Sequence, residues 1–145
     1  MTELAPRLFE SDAAITRIGD RLLARTLPRE EWTHEAHLAA CLWIARDRPD
    51  IAPEQDMADI ISRYNVSVGG VNDATQGYHE TITQVYIAAV RAHLADIPAG
   101  TSLMDAVNAL LLSKRGKRDW PLRFYSRERL FSVEARLGFV APDLA

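Results

Sequence analysis

Three of the four histidines in this sequence fall in two short segments, where their spacing could hold a metal ion. His34 and His37 lie three residues apart in the segment 32–37, and His79 lies in the segment 77–81. Histidines three apart on a helix have Cβ atoms about 5–6 Å apart, so both imidazoles can reach one ion. Three histidine ligands with one open position form a common catalytic zinc site. Such an ion would acidify a bound water and polarise a substrate oxygen.

Both histidine segments open a predicted helix, and this position favours metal binding. The positive end of the helix dipole disfavours imidazolium, and neutral imidazole is the form that ligates metal. We therefore predict that His34, His37 and His79 hold a divalent metal. Zn²⁺ is favoured, with Fe²⁺, Ni²⁺ or Mn²⁺ as alternatives, because imidazole ligands alone do not choose among these ions. The other interpretation is that each histidine is a core residue hydrogen-bonded at a helix start.

Two carboxylates follow these histidines directly and are the candidate catalytic residues. Glu80 follows His79 and Glu35 follows His34. Either could be the general base for a metal-bound water, or could fix the tautomer of a histidine. Acidic residues in a first helical turn also simply complement the helix dipole. The spacing of His34 and His37 is one residue shorter than that of the zinc proteases, so we do not predict a protease.

Four further residues are candidates for substrate binding. Tyr78 and Asn72 lie beside the proposed site in sequence. Arg123 and Arg127 could clamp a carboxylate or a phosphate of the substrate. Arginines of this kind also make salt bridges that hold a chain segment in place. The single cysteine, Cys41, is expected to be a buried structural residue.

The elements that must position these side chains are helices, because apolar residues recur at steps of three and four almost throughout. The segment 65–77 is the exception and reads as a loop, since it contains three glycines and an Asn-Asp pair. The expected main helices are one capped by Ser11, one over Thr33–Asp47, one beginning near Pro53, one over Tyr78–Ala95 and one capped by Ser102.

Helices joined by short connections pack as antiparallel bundles. We predict an all-α fold in which residues 1–145 form one domain, an antiparallel bundle of four or five main helices with a short helical C-terminal addition. In an up-down-up-down bundle the second and fourth helices run parallel, so their N-termini lie at the same end. His34, His37 and His79 would then converge at one level.

The composition of the chain argues against several classes of protein and of binding partner. The chain has 145 residues, a formal net charge of −3 and one cysteine. This charge argues against a dedicated nucleic-acid binder, and no apolar run approaches the roughly 20 residues that span a bilayer. Residues 1–7 lack the pattern of a secretory signal, and the lone cysteine fits a reducing compartment. We therefore predict a cytoplasmic protein with a small-molecule substrate and with neither nucleic acid nor membrane as a partner.

Three segments carry a resemblance to known proteins. Residues 32–38 (WTHEAHL), 77–83 (GYHETIT) and 125–131 (YSRERLF) resemble those of a family of small bacterial helical proteins of unassigned function. That resemblance implies no activity. In size and plan the chain is also similar to the DinB-like helical bundles, which bind a divalent metal through three histidines. This second likeness is one of architecture, and the spacing of His34 and His37 differs from theirs.

Two functions compete at this stage. The first is a metal-dependent enzyme of hydrolase, lyase or isomerase type that acts on a small polar substrate through the three histidines. The alternative is a non-enzymatic helical module that binds a small ligand or a protein partner. Its histidines would be structural, and the basic run 114–118 would be its contact surface. Convergence of the imidazoles favours the first function and dispersal the second, while the oligomeric state stays open.

Overall fold

The protein is all-helical over residues 5–144, the part of the chain that this computed structural model describes. No strand occurs within that range, as the helical periodicity predicts. Residues 1–4, part of the segment that lacks a secretory pattern, lie outside it. Its α-helices are α1 (Asp12–Ala24), α2 (His34–Asp47), α3 (Pro53–Ser67), α4 (Glu80–Asp96), α5 (Leu103–Leu112), α6 (Arg127–Leu130) and α7 (Val133–Leu137).

Short polar side chains begin two of these helices where the sequence predicts a cap. The Ser11 hydroxyl accepts the Ala14 N–H at the start of α1, at 3.1 Å. The Ser102 hydroxyl accepts the Asp105 N–H at the start of α5, also at 3.1 Å. Each bond satisfies a backbone donor that has no partner inside the helix.

Two helix boundaries differ from the prediction. Helix α3 continues to Ser67, so it includes the first three residues of the expected loop. Helix α4 begins at Glu80 rather than at Tyr78, because His79 has extended backbone and is itself the N-cap. The sequence does not indicate this cap, because serine, threonine, aspartate and asparagine are the residues that usually cap helices.

Helix α2 lies in the core, and nine of its fourteen residues are buried. It approaches α1 closely at Gly19, where an added Cβ would lie 2.2 Å from the Trp43 ring. Leu42 and Ile44 are fully buried on α2 and pack in the cluster that contains Leu110 of α5. Because most of α2 is packed in the core, the position of its first turn, which carries His34, is fixed by that packing.

Helix α4 is fixed at both ends by contacts with later parts of the chain. Near its start the Thr81 hydroxyl donates to the Gly138 carbonyl at 3.0 Å and accepts the Val140 N–H at 3.1 Å. Toward its end the buried His93 donates from Nε2 to the Ala106 carbonyl of α5 at 2.8 Å. His93 is therefore a packing residue, remote from the other histidines.

None of the helices in residues 5–144 combines the length and apolar character that a bilayer crossing requires.

Candidate functional site

A cavity of about 320 Å³ lies where the first turns of α2 and α4 face α3. All three histidines singled out from the sequence line it, together with Tyr78. The remaining wall is mainly apolar or aromatic and is formed by Trp32, Leu38, Cys41, Met57, Ile61, Asn65, Gly77, Ile82, Thr83, Tyr86 and Ile87.

The start of α2 directs two histidines into this cavity because another residue caps the helix. The Thr33 hydroxyl accepts the Ala36 N–H at 3.1 Å. His34 therefore has its ring available, and its Nε2 lies 2.8 Å from the Gly116 carbonyl oxygen. Since a carbonyl only accepts, Nε2 carries the proton and Nδ1 is an acceptor. Gly116 itself is packed against the end of α5, where an added Cβ would lie 2.2 Å from the Leu110 carbonyl oxygen.

The ring of His37 packs edge-on against Trp32, with ring centroids 3.7 Å apart. Within residues 5–144 it makes no well-formed hydrogen bond, and no side-chain nitrogen or oxygen there is both fully buried and unpartnered. The unpaired ring nitrogens of His37 must therefore be accessible. Because His37 lines the cavity, this is the space onto which they open.

The electrostatics of the site keep His37 neutral. Burial, the largest cause, and the neighbouring His34 together lower its pKa to about 3, although the Thr33 backbone opposes part of the shift. Burial also lowers the pKa of His34, although its bond to Gly116 opposes the shift. At neutral pH both rings are uncharged imidazoles, each with one donor and one acceptor nitrogen.

His79 lines the same cavity, but the protein uses both of its ring nitrogens. As the N-cap of α4 it accepts the Ile82 N–H at Nδ1, at 3.2 Å. Its Nε2 donates to the Leu130 carbonyl at 2.8 Å. Burial lowers the pKa of this histidine, with Leu130 opposing the shift and Arg136 adding to it. In this arrangement His79 has no lone pair left for a ligand.

Among residues 5–144, no group of three His, Cys, Asp or Glu side chains has an arrangement that could hold a metal ion. His34, His37 and His79 share a cavity, but they do not converge at ligand distance. A three-histidine site would require His79 to release the Ile82 N–H, because Nδ1 is its unprotonated nitrogen. The metal site and the choice of Zn²⁺ therefore stay predictions.

The two candidate catalytic carboxylates lie outside the cavity wall. Glu35 is buried, and its carboxylate accepts the Arg7 N–H at 3.5 Å. Burial opposes its ionisation, but backbone N–H groups and nearby positive charge keep the pKa of Glu35 below its ordinary value. The Glu80 carboxylate accepts the Tyr78 hydroxyl at 2.5 Å and the Gln84 amide at 3.4 Å. Both acids lie in the first turn of their helix, where they complement its dipole.

Of the candidate substrate-binding residues, Tyr78 lines the cavity, whereas Asn72, Arg123 and Arg127 do not. Asn72 organises the loop instead: its carbonyl oxygen accepts the Tyr78 N–H at 2.9 Å. The guanidinium of Arg123 lies over the Trp120 ring, 5.6 Å from its centroid. Arg127 is exposed on α6.

Gly77 brings this loop to the cavity in a conformation that requires glycine. Its φ is +80°, in the left-handed region, and an added Cβ would lie 2.3 Å from the Val71 carbonyl oxygen. The loop is also joined to the last turns of α3, where the Asn65 amide donates to Asn72 at 2.9 Å. Asn65 and Gly77 thus belong to the site, although the sequence only indicates turn residues at these positions.

The cavity wall also contains two aromatic side chains that were not among the predicted site residues, Trp32 and Tyr86. The Tyr86 ring lies 5.5 Å from that of His34, centroid to centroid, and its hydroxyl donates to the Lys117 carbonyl at 2.5 Å. Its inward position follows from helical periodicity, since Tyr86 lies seven residues, about two turns, after His79. Cys41 is buried as expected, and burial raises the pKa of its thiol to about 12.

Comparison of this chain with protein-family models, with curated proteins and with solved structures finds no match.

Proposed function

We propose that the protein binds a small molecule in the cavity between α2, α3 and α4. The observation that carries this proposal is His37, a polar ring without a well-formed hydrogen bond among residues 5–144, opening into a mainly apolar cavity. Binding sites for small molecules are concave and mostly apolar, with a few polar groups that fix orientation. The volume of about 320 Å³ lies at the lower end of their usual range.

A protein partner docking on the basic run 114–118 has less support. Arg115 is paired with Asp96 at 2.8 Å, so its charge is partly satisfied. The turn Lys114–Gly116 supplies the carbonyl that His34 binds. This part of the run therefore has a structural role behind the cavity.

We also propose that the helices pack as a bundle in which each main helix runs opposite to the one before it, so that α2 and α4 run in the same direction. It is supported by the shared cavity, because His34 at the first position of α2 and His79 before α4 both line it. Parallel helices place their N-termini at one end of a bundle, whereas antiparallel neighbours would separate these residues by a helix length of about 20 Å.

Methyl NMR with uncharged and charged probes tests the binding proposal. Cyclohexanol, 4-methylphenol, indole and benzoate are titrated to millimolar concentration, and the methyl signal of Met57 in the cavity wall is followed. We expect at least one probe to shift this signal in a saturable manner. Ile61→Trp should abolish the shift by filling the cavity. Val66→Trp is the matched control, since Val66 lies on the same helix and is 60% exposed.

Two results contradict the proposal. One is that no probe shifts the Met57 signal. The other is that the shifts persist unchanged in Ile61→Trp, because the probes would then bind elsewhere.

A metal-dependent enzyme is the second candidate, and one observation favours it. His34 and His37 are half-buried neutral imidazoles three residues apart that line one cavity. His79 would complete the site through Nδ1 after giving up its bond to Ile82, and Glu80 would be the acid/base after releasing Tyr78. Zn²⁺ is the first metal to test, with Fe²⁺, Ni²⁺ and Mn²⁺ next.

Elemental analysis of untagged protein, stripped with chelator and reloaded with Zn²⁺, tests this second candidate. It predicts about one ion per chain, lost in each of His34→Ala, His37→Ala and His79→Ala. His93→Gln is the control, because His93 is bonded to Ala106 away from the cavity. Failure of the wild-type protein to take up Zn²⁺, or retention of the ion by all three alanine variants, would contradict it.

A further inference from the structure

We propose that the molecule bound in this cavity is uncharged, has the size of about two fused rings and presents an N–H or O–H donor to the histidine pair. This inference rests on the proposed function and adds the chemical class of the ligand. It differs from the small polar substrate that the sequence suggests, because three features of the cavity select against such a molecule.

The first feature is the volume. A cavity of about 150 Å³ lined by Leu, Ile and Phe binds one benzene. The present cavity of about 320 Å³ is roughly twice as large. An occupant of two fused rings would fill it without moving the core side chains Leu38 and Met57, which are each 2% exposed.

The second feature is the charge of the wall, which contains no Asp, Glu, Lys or Arg. The N-termini of α2 and α4 also point at the cavity, and helix N-termini attract anions. Here, however, each helix has an acid in its first turn, Glu35 and Glu80 respectively. The caps Thr33 and His79 already bind one backbone N–H each. A carboxylate or phosphate ligand would therefore lose its hydration without gaining a charged partner.

The third feature is the direction of the hydrogen bonds. All three hydroxyl groups of the wall donate into the protein: Tyr78 to Glu80, Tyr86 to Lys117 and Thr83 to His79. The bond of His34 to Gly116 leaves its Nδ1 as an acceptor. Neutral His37 carries one N–H and one lone pair, and neither has a well-formed partner among residues 5–144, so its lone pair is a second acceptor. The histidine pair therefore offers two acceptor nitrogens against a single N–H, and a ligand with a donor matches this pair.

Calorimetric titration with three bicyclic probes tests this chemistry in the intact chain. Indole has the required size and an N–H donor, benzofuran has the same shape without the donor, and indole-2-carboxylate adds a negative charge. We expect a Kd for indole about tenfold lower than that for benzofuran, the effect of one hydrogen bond. The carboxylate should bind at least tenfold more weakly than indole.

The variant His37→Phe identifies the acceptor, since it keeps a ring at this position and removes both nitrogens. The advantage of indole over benzofuran should fall to less than threefold, with benzofuran affinity unchanged. If this variant does not fold, His37→Leu serves instead, because it also removes both nitrogens and should reduce the preference to the same extent. Gln84→Ala, a change on α4 outside the cavity wall, should leave both affinities unchanged.

The outcomes separate this inference from the proposed function. Equal binding of indole and benzofuran, or tight binding of the carboxylate, would overturn the ligand class while leaving a small-molecule site in place. A preference for indole that survives in His37→Phe would overturn the role of His37. If neither probe binds and Met57 responds to no molecule in the wider panel, the proposed function fails and this inference with it.

Discussion

Helices α2 and α4 both begin at the cavity with histidines, but they use them in opposite ways. Helix α2 is capped by the hydroxyl of Thr33, and the rings of His34 and His37 stay available. Helix α4 is capped by the ring of His79, whose two nitrogens are both hydrogen-bonded, Nδ1 to the Ile82 N–H and Nε2 to the Leu130 carbonyl. The residue before the first helical turn therefore decides whether a nearby imidazole keeps a free nitrogen or holds the fold.

This difference separates a stabilising histidine from the two histidines that we propose bind a ligand in the same cavity. Both helix starts are buried, and burial lowers the pKa of all three rings. Only the hydrogen-bond partners distinguish them. Variants at the two helix starts test whether this distinction is real.

Removal of His79 should cause the largest loss of stability. In His79→Ala the N-cap of α4 is lost, which costs about 1 kcal/mol, and the buried Leu130 carbonyl loses its donor, which costs a further 1–3 kcal/mol or so. We expect urea denaturation to give a free energy of unfolding lower by about 3 kcal/mol. His79→Asn, which restores a capping side chain, should recover about 1 kcal/mol. A loss below about 0.5 kcal/mol for the alanine variant would contradict the structural role of His79.

Acid should destabilise the protein through the α2 pair. The pKa of His37 is about 3 in the folded chain and 6.5 ordinarily. As the pH falls, His37 is protonated first in the unfolded chain, where its pKa is higher. The contribution of neutral His37 to the free energy of unfolding is therefore complete above pH 6.5 and is lost as the pH falls toward 3. For metal-free protein, we expect His37 alone to lower the free energy of unfolding by about 2 kcal/mol between pH 7 and pH 5.

The control for the acid experiment is His37→Phe, which should lose about 2 kcal/mol less than the wild type over the same interval. The remaining loss comes from His34 and His79, whose pKa values burial also lowers. Identical pH profiles for the two proteins would show that His37 is not the buried neutral ring described above.

Loss of the threonine cap should have a smaller effect than loss of the histidine cap. Thr33→Ala removes the acceptor of the Ala36 N–H and should lower the free energy of unfolding by about 1 kcal/mol. Thr33→Ser should restore most of it, because serine caps helices as well as threonine does. Thermal and urea denaturation of the two variants measure this difference. If Thr33→Ala costs as much as His79→Ala, the two helix starts do not differ in the way described here.

The smallest effect on stability is expected for His37→Phe at neutral pH. The ring of His37 makes no well-formed hydrogen bond among residues 5–144, and the cavity beside it leaves room for the larger side chain. We expect the free energy of unfolding to change by less than about 0.5 kcal/mol, as for substitutions that break no specific interaction. A large loss would mean that His37, like His79, holds the fold.

Local sequence patterns predicted the helices well because they rest on short-range physics. The capping residues Ser11 and Ser102 act as expected, and the apolar steps in α1 match its buried Ile15, Ile18 and Leu22. The same periodicity placed the three histidines on inward faces, and all of them line the cavity. Boundaries failed where a side chain acted outside its usual role, as His79 does at the start of α4.

The chemistry of the site could not be predicted because it depends on distant partners. His34 is bonded to a residue 82 positions away and His79 to one 51 positions away. Helical spacing cannot reveal these carbonyls, and they decide which ring nitrogens remain for a ligand. Likewise Arg123 and Arg127 have suitable side chains for anion binding, but the fold directs them away from the cavity.

The bond between His79 and Leu130 also constrains the order in which the chain can fold during synthesis. During synthesis, α1 to α4 emerge from the ribosome well before Leu130 does. At first, therefore, the His79 ring that caps α4 has no acceptor for its Nε2–H. The Thr81 hydroxyl likewise lacks its two hydrogen-bond partners until Gly138 and Val140 have been synthesised. A nascent chain that ends before these residues would therefore contain the histidines of the cavity but not its finished wall.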